Sequence, residues 1–337
     1  MEMEAEEVLE RIQAALELRK SWIDYQSYSA FRLFNGFIEG FPDLAIDVYA
    51  RTLVIFNFAN PPDTFQDLIP LVIDHLHNTL PWIQSTMVKT RFTEDVAARH
   101  GLIAQGEKPD SRIREHGVWY AIDLQMGSDA SLYLDTRELR KWIIEHAVGR
   151  RVLNTFAYTG SLGVAAKAGG ARQVIHLDRN RKFINLAKTS YSINGFPIQK
   201  SDFVSQDFFP WTSRMRRTKQ RFDMIFLDPP FFSLSTGGRV DLDKDYSRLI
   251  NKVRPLVETG GILVAINNAL FVSGSKFFQQ LEGLCHDGYM TIEELIPVPD
   301  DFSGFAKNHQ NYFPTDPAPF NHPTKIAILR VMKSKNQ

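Results

Sequence analysis

The sequence predicts an α/β fold, with a mostly parallel sheet and crossover helices behind a small α+β region. Three stretches predict it. Arg151-Val152-Leu153-Asn154-Thr155-Phe156 runs into Ala157-Tyr158-Thr159-Gly160; Val174-Ile175-His176-Leu177 ends at Asp178; Phe222-Asp223-Met224-Ile225-Phe226-Leu227 ends at Asp228-Pro229-Pro230-Phe231. Each is a short apolar run closed by a polar or glycine-containing turn, and helix-like segments separate them. That alternation is the pattern of a parallel sheet. Such sheets bind ligands at the carboxyl ends of their strands, so the Gly160 turn, Asp178 and Asp228 are expected to share one crevice.

At 337 residues the chain has room for two domains, with a boundary expected near residue 118. Residues 1–118 form the small region, a candidate for substrate recognition, and 119–337 carry the main sheet. Apolar residues make up 44% and charged residues 23%, an ordinary globular balance. The 39 basic and 39 acidic residues cancel, so nucleic-acid binding requires a local patch instead of a global field. The acidic start (Glu2, Glu4, Glu6, Glu7) is unlike a targeting peptide, and no apolar run approaches the roughly 20 residues that span a bilayer. A cytoplasmic protein without a membrane contact is expected; an oligomer stays open. A single cysteine, Cys285, excludes an internal disulfide and a cysteine-rich metal site, and no metal is expected.

In chain order, Val8, Ile12, Ala15 and Leu16 recur at helical spacing across residues 5–20. Asn35-Gly36 and Gly40 with Pro42-Asp43 separate short apolar runs, which predicts hairpins. Residues 52–58 read as a strand, 64–79 as a helix stopping near Pro81, and 83–88 as a strand. The segment 117–124 alternates as a strand and leads through residues 126–137 into a helix ending near His146. Then come strand one (152–156), a helix (161–167), strand two (173–178), a helix (181–194), strand three (201–205, ending at Gln206-Asp207) and strand four (224–227). A helix at 245–256, closed by Gly260-Gly261, precedes strand five (262–266). A helix at 276–284 precedes strand six (291–296), and strand seven spans 325–331. The 28 residues between the last two strands exceed the usual limit of about 12–15 for a structureless loop. They read either as a plain surface loop or as a lid whose Phe302, Phe305, Tyr312, Phe313 and Phe320 stack a base.

The residues at the strand ends suggest chemistry. Gly160 permits a tight turn and close approach to a ligand beside the free N–H groups of the next helix, although a glycine there also serves helix packing. Asp178, about 20 residues on, is placed to accept both hydroxyls of a ribose, or to cap a helix. Asp207 suits an adenine amino group, with helix capping again the alternative. In Asp228-Pro229-Pro230-Phe231 neither proline has an N–H to donate. The turn can therefore present carbonyls and a carboxylate as acceptors beside an aromatic platform, which suits a planar base carrying N–H groups.

Taken together and in this order, Tyr133-Leu134-Asp135-Thr136-Arg137, Val152 through Gly160, and Asp228-Pro229-Pro230-Phe231 resemble the class I methyltransferases of bacterial 23S ribosomal RNA. Upstream, Arg32-Leu33-Phe34-Asn35-Gly36, Gly40-Phe41-Pro42-Asp43 and Asp47-Val48-Tyr49 resemble the small domain preceding that catalytic fold. The resemblance implies a Rossmann-like, seven-stranded sheet with an antiparallel last strand, S-adenosylmethionine as cofactor and RNA as substrate. It implies cofactor contacts from Tyr133, Arg137, Phe156, Asp178 and Asp207, with Arg137 pairing with the methionine carboxylate. Asn154, Tyr158, Thr159, Gly160, Arg179 and Asp228 complete the expected cofactor set. Asp228, Pro229, Pro230, Phe231 and Asn267 form the expected catalytic set.

Two departures narrow the expectation. The cytosine-C5 branch often begins with an RNA-binding PUA domain, whereas this chain starts at its amphipathic helix. That branch also carries a cysteine after strand five, where this chain has Val264-Ala265-Ile266-Asn267-Asn268. The asparagine pair resembles the guanine-N7 branch. Cys285 precedes strand six, which places it at the opposite end of the sheet. The expected reaction is methyl transfer to a base nitrogen, guanine first, of ribosomal RNA; cytosine-C5 transfer and a non-RNA acceptor are the alternatives. A nicotinamide oxidoreductase is disfavoured by the Asp-Pro-Pro turn and by the missing Gly-x-Gly-x-x-Gly, and a non-catalytic cofactor-binding adaptor is the other rival class. The basic run Arg214, Arg216, Arg217, Lys219, Arg221 is expected in a solvated loop at the amino ends of the strands. Arg179, Arg181, Lys182, Arg239 and Lys244 follow strands and are better placed for phosphates.

Overall fold

A computed structural model describes residues 2–23, 28–235, 238–303 and 323–332, with side chains of 2–4 and 232–245 outside the description. The chain divides into two compact units, residues 1–134 with 300–306, and residues 135–299 with 307–337.

The first unit opens with α1 (Glu2–Leu18), whose Val8, Ile12, Ala15 and Leu16 are buried as their spacing requires. It continues through β1 (Ala30–Phe34), β2 (Leu44–Tyr49), β3 (Thr52–Asn57), α2 (Leu68–Thr79), β4 (Ser85–Thr90), the short α3 (Val96–His100) and β5 (Leu102–Gly106). The five strands form one sheet in chain order, and only β3 and β4, joined through α2, are parallel. Arg32 and Asp47 pair across β1 and β2 at 2.7 Å. A ribbon of β6 (Arg112–Glu115) and β7 (Val118–Ala121) follows. The expected strand at 117–124 is thus half of a separate hairpin rather than a lead-in to the main sheet.

The division falls at Leu134 and not near 118 because residues 119–134 are tied to the first unit. The Tyr49 hydroxyl donates to the Leu132 carbonyl at 2.9 Å. The buried Lys89 ammonium donates to the carbonyls of His100 and Gly127, both at 2.7 Å, and of Asp129 at 3.3 Å.

The second unit runs α4 (Arg137–His146), β8 (Arg151–Thr155), α5 (Ser161–Ala168), β9 (Gln173–Asp178), α6 (Arg181–Ile193), β10 (Phe203–Ser205), α7 (Phe208–Arg217) and β11 (Phe222–Leu227). A two-stranded ribbon, β12 (Phe232–Ser235) and β13 (Gly238–Asp241), precedes α8 (Leu242–Val253), β14 (Val257–Asn267), α9 (Gly274–Cys285) and β15 (Met290–Ile296). After α10 (Asp300–Ser303), which belongs to the first unit, β16 (Lys325–Val331) ends the sheet. The seven strands lie in the order β10-β9-β8-β11-β14-β16-β15. β16 is antiparallel to both its neighbours; the others run one way, with the antiparallel last strand as expected.

Three local readings change. Helix α7 was not anticipated: Asp207 caps it, accepting the Phe209 N–H at 3.0 Å, and Pro210 sits in the first turn, where an N–H has no partner to lose. The basic run is therefore the last turn of a helix and its exit rather than a loop. Helix α8 ends at Val253, before a 3-10 turn containing Pro255, and not at Gly260-Gly261. Those glycines lie inside β14, with Gly260 at φ 78°, where the strand breaks register against β11.

The interior of the unit lies on both faces of the sheet. Leu153, Ile225, Leu263 and Leu329 pack under α7, α8 and α9, and Val152, Met224, Val264 and Ile328 pack under α4 and α5. Strands buried on both faces read as near-continuous apolar runs, which is why they were visible in the sequence.

Candidate functional site: the carboxyl edge of the parallel strands

Five parallel neighbours, β10, β9, β8, β11 and β14, end at one edge, so Asp207, Asp178, the 156–160 turn, Asp228 and Asn267 follow adjacent strands. Pairing of Leu227 with Thr155 and with Ala265 sets the register of the central three. The Thr155 hydroxyl donates to the Phe226 carbonyl at 2.7 Å and fixes that edge from within.

The turn after β8 is unusual in its backbone. Phe156 (φ 50°), Tyr158 (φ 49°) and Gly160 (φ 84°) all sit in the left-handed region, which costs two non-glycine residues some strain. Asp178 supports the turn: its Oδ2 accepts the Tyr158 N–H at 2.9 Å and its Oδ1 accepts the Asn180 N–H at 2.8 Å. Burial nonetheless pushes the carboxyl up from its ordinary value, the two backbone donors pulling the other way. Helix α6 is capped by Asn180, so Asp178 is not its cap. Below the turn the His176 ring, stacked on Phe203, fills the space beside Gly160 and Gly163. Phe156 stacks on Phe208 with ring centres 4.6 Å apart, making an aromatic wall beside Asp207.

The chemistry-bearing end is the 228–231 turn. Pro229 is buried and Pro230 exposed. Asp228 Oδ1 is buried and has no hydrogen-bond partner among the described residues. Burial, and then the negative charge of Asp135, pushes this carboxyl up to about 7. Buried polar atoms normally find partners. Among the described residues of the same structural unit, Asn154 Nδ2, Asn267 Nδ2 and Asp135 Oδ1 are buried without a partner as well. Burial and then Asp228 push the Tyr246 phenol well above its usual range. Phe231 meets Phe271 edge-to-face at 4.4 Å.

Asn267 is buried and uses Oδ1 to accept the Ala269 N–H at 3.0 Å, leaving Nδ2 as a free donor. The turn it starts is braced from β16, where the buried Lys325 ammonium donates to the carbonyls of Ala269 and Val272 at 2.6 and 2.7 Å. No thiol lies at this edge among the described residues. Cys285 ends α9, ahead of β15, at the opposite edge.

Of the sequence-derived candidates, Asn154, Phe156, Tyr158, Thr159, Gly160, Asp178, Arg179, Asp207, Asp228, Pro229, Pro230, Phe231 and Asn267 are on this unit's strands or the turns that follow them. Arg137, the first residue of α4, belongs to the same unit and lies 3.8 Å from Glu138. Tyr133 belongs to the first unit, where its hydroxyl donates to Asp129 at 3.3 Å. Phe305, Tyr312, Phe313 and Phe320, and the side chains of Arg239 and Lys244, lie outside the described residues; Phe302 is described, with the Arg32 guanidinium 4.3 Å over its ring. Sequence reasoning missed Phe208, Tyr246, Phe271 and Lys325, each brought to the site from another element. For Lys325 one signal existed, a lysine opening the apolar run of residues 326–329.

The sequence profile of the S-adenosylmethionine-dependent methyltransferases matches residues 31–293. The chain is 31% identical over 303 residues to YwbD of Bacillus subtilis (strain 168), a protein named provisionally as a ribosomal RNA large subunit methyltransferase; the match covers 87% of this chain and 75% of that one. It is 30% identical over 271 residues to ribosomal RNA large subunit methyltransferase I of Aeromonas salmonicida (strain A449), covering 80% and 68%. Among solved structures, SMU.776 in complex with SAH superposes with a TM-score of 0.82 at 24% identity, over 96% of this chain and 80% of that one.

Proposed function

The chain belongs to the S-adenosylmethionine-dependent methyltransferases, and on that premise we propose that it methylates a base nitrogen, that of guanine in particular, in large-subunit ribosomal RNA. The RNA class rests on the names of its relatives. The choice of nitrogen rests on one observation: the carboxyl edge carries Asn267 and Asn268 and no thiol. Carbon-5 of cytosine becomes nucleophilic only after a thiolate adds to carbon-6, whereas a nitrogen lone pair needs no such step.

The residues present fit the cofactor. The free lone pairs of the Asp178 carboxylate suit the two ribose hydroxyls, Asp207 Oδ2 remains available after helix capping, and the Phe156–Phe208 wall suits an adenine face. Arg137 is the cation for a carboxylate, and Asn154, Tyr158, Thr159, Gly160 and Arg179 complete the proposed set on this unit. When bound, S-adenosylmethionine supplies a methyl group on a sulfonium that departs as a neutral thioether.

The chain's own part is positioning and water exclusion. The orphaned Asp228 Oδ1 accepts an N–H of the base, the Pro229 carbonyl accepts a second, Pro230 holds the turn, and Asn267 Nδ2 donates to the base edge. Phe231, held edge-on by Phe271, stacks the ring. Burial, and then the negative charge of Asp135, keep the Asp228 carboxyl near neutrality.

The test is methyl transfer by purified protein from labelled S-adenosylmethionine to ribosomal RNA of cells lacking it, with the modified nucleotide mapped. A methylated guanine nitrogen is expected. A 5-methylcytosine, or labelling of protein alone, overturns the reading.

A further inference from the structure

At the amino edge of the sheet, opposite the crevice, a cleft of about 450 Å³ is lined by Thr212, Ser213, Arg216 and Arg217 of α7 and by Lys252 of α8. A second cleft, of about 400 Å³, adjoins it through Arg216 and adds Lys219 and Arg221; Glu258 is its one acid. Neighbouring cations are neutralised: Arg254 pairs with Asp287 at 3.0 Å and Arg172 with Asp223 at 3.5 Å. Among the described residues none of Arg216, Arg217, Lys219, Arg221 or Lys252 has an ion-pair partner.

Cations in the last turn of a helix complement its dipole, which accounts for Arg216 and Arg217. The same holds for Lys252 in the last turn of α8, but not for Lys219 and Arg221, which lie beyond the end of α7. On a chain whose formal charge is zero, five cations without an ion-pair partner among the described residues, gathered around two adjoining clefts, make a local positive patch that favours an anionic occupant. The first cleft has no aromatic wall, so it reads no base; its donors are guanidinium, ammonium and hydroxyl groups, those that hold phosphates without regard to sequence.

We propose that the paired clefts between α7 and the amino ends of β11 and β14 bind the phosphate backbone of the RNA substrate, at a surface remote from the methyl-transfer crevice. This rests on the RNA reading above. A long folded RNA spans both edges of the sheet, and anchorage at the amino edge contributes affinity while selection of the nucleotide stays at the carboxyl edge.

The full chain tests it in two variants: Arg216→Glu/Arg217→Glu/Lys252→Glu, and Arg216→Lys/Arg217→Lys, which keeps the charge. The probes are in-vitro-transcribed large-subunit ribosomal RNA, across a range of salt, and S-adenosylhomocysteine as a check on the crevice. Charge reversal is expected to weaken RNA binding at least tenfold and to flatten log K against log salt by roughly 0.7–0.9 per lost contact, about 2–3 in all. It raises KM for RNA with kcat held, leaves S-adenosylhomocysteine affinity unchanged, and spares the Arg→Lys variant. An unchanged RNA affinity and salt slope overturns the proposal and leaves an acidic protein as the occupant. If the triple variant loses S-adenosylhomocysteine binding, Arg217→Ala and Lys252→Ala are read by the same slope, and two unchanged slopes overturn it equally. Wild type that transfers methyl groups but binds no RNA overturns the functional reading instead.

Discussion

The Tyr158 backbone N–H donates to Asp178 Oδ2 at 2.9 Å, so the carboxylate that ends β9 also holds the left-handed turn that ends β8. One side chain thereby carries two duties, bracing the turn and offering its remaining lone pairs to a ligand. Asp178→Ala removes both and is expected to weaken S-adenosylhomocysteine binding by about 1–3 kcal/mol, the scale of a lost hydrogen bond to a charged group. Asp178→Asn keeps one acceptor oxygen and falls between. Calorimetry on the three proteins measures the series, and equal affinities remove Asp178 from the cofactor site.

Asp228 is expected to make stability depend on pH. Its carboxyl is pushed up to about 7 in the folded chain from an ordinary 3.8. Between those values the folded state keeps a proton that the unfolded state has released. The native state is therefore favoured at low pH and loses stability as pH rises from about 4 to about 7, after which the loss is complete. Asp228→Asn removes that dependence, so denaturant titrations show the variant gaining on wild type as pH rises through this window. The same variant is expected to lose methyl transfer. A variant with full transfer sinks the proposed contact.

Gly163 faces the His176 ring, and a Cβ there would stand 2.4 Å from His176 Cε1. The ring has no room to retreat, being stacked on Phe203 at 5.1 Å and hydrogen-bonded to the Tyr191 hydroxyl at 3.1 Å. Alanine gains up to about 1 kcal/mol of helix propensity over glycine, whereas overpacking costs about 1–3 kcal/mol. Gly163→Ala is therefore expected to destabilise the second unit, read as a lower midpoint in urea.

His176 adds a second dependence of opposite sign. Burial pulls its pKa from 6.5 down to about 3. Below about 6.5 the unfolded chain takes up a proton that the folded chain refuses, so its contribution is complete above that pH and is lost as pH falls toward 3. His176→Phe abolishes this acid-side slope, and a slope that persists unchanged assigns it to other groups.

The sheet was legible because β8, β9, β11 and β14 are buried on both faces and stand out as apolar runs closed by turn residues. Helix α7 was not, because Phe208-Phe209-Pro210-Trp211 lacks polar spacing and its proline suggests a breaker; in the first helical turn that proline removes no hydrogen bond. At the site, residues next to strand ends (Gly160, Asp178, Asp228, Asn267) were accessible because topology alone places them. Tyr246 and Phe208 were not, since their proximity follows from helix packing, which has no local signature; Lys325 left only the faint one of a lysine opening an apolar run.

The last prediction concerns Cys285, the chain's single thiol. It ends α9 and is half-buried against the core under β14 and β15, with burial and Asp287 raising its pKa. A nucleophilic thiol needs the opposite, a lowered pKa in an electropositive site. Its position ahead of β15 puts it at the amino edge, whereas Asp228 and Asn267 stand at the carboxyl edge. Cys285→Ser is therefore expected to keep full methyl transfer, and RNA containing 5-fluorocytosine to form no stable adduct. A trapped adduct that disappears in Cys285→Ser overturns the nitrogen acceptor and the strand order with it. Because a serine hydroxyl in a half-buried pocket costs packing, Cys285→Ala serves as the second variant, and loss of transfer in both, with S-adenosylhomocysteine binding intact, counts equally against the reading.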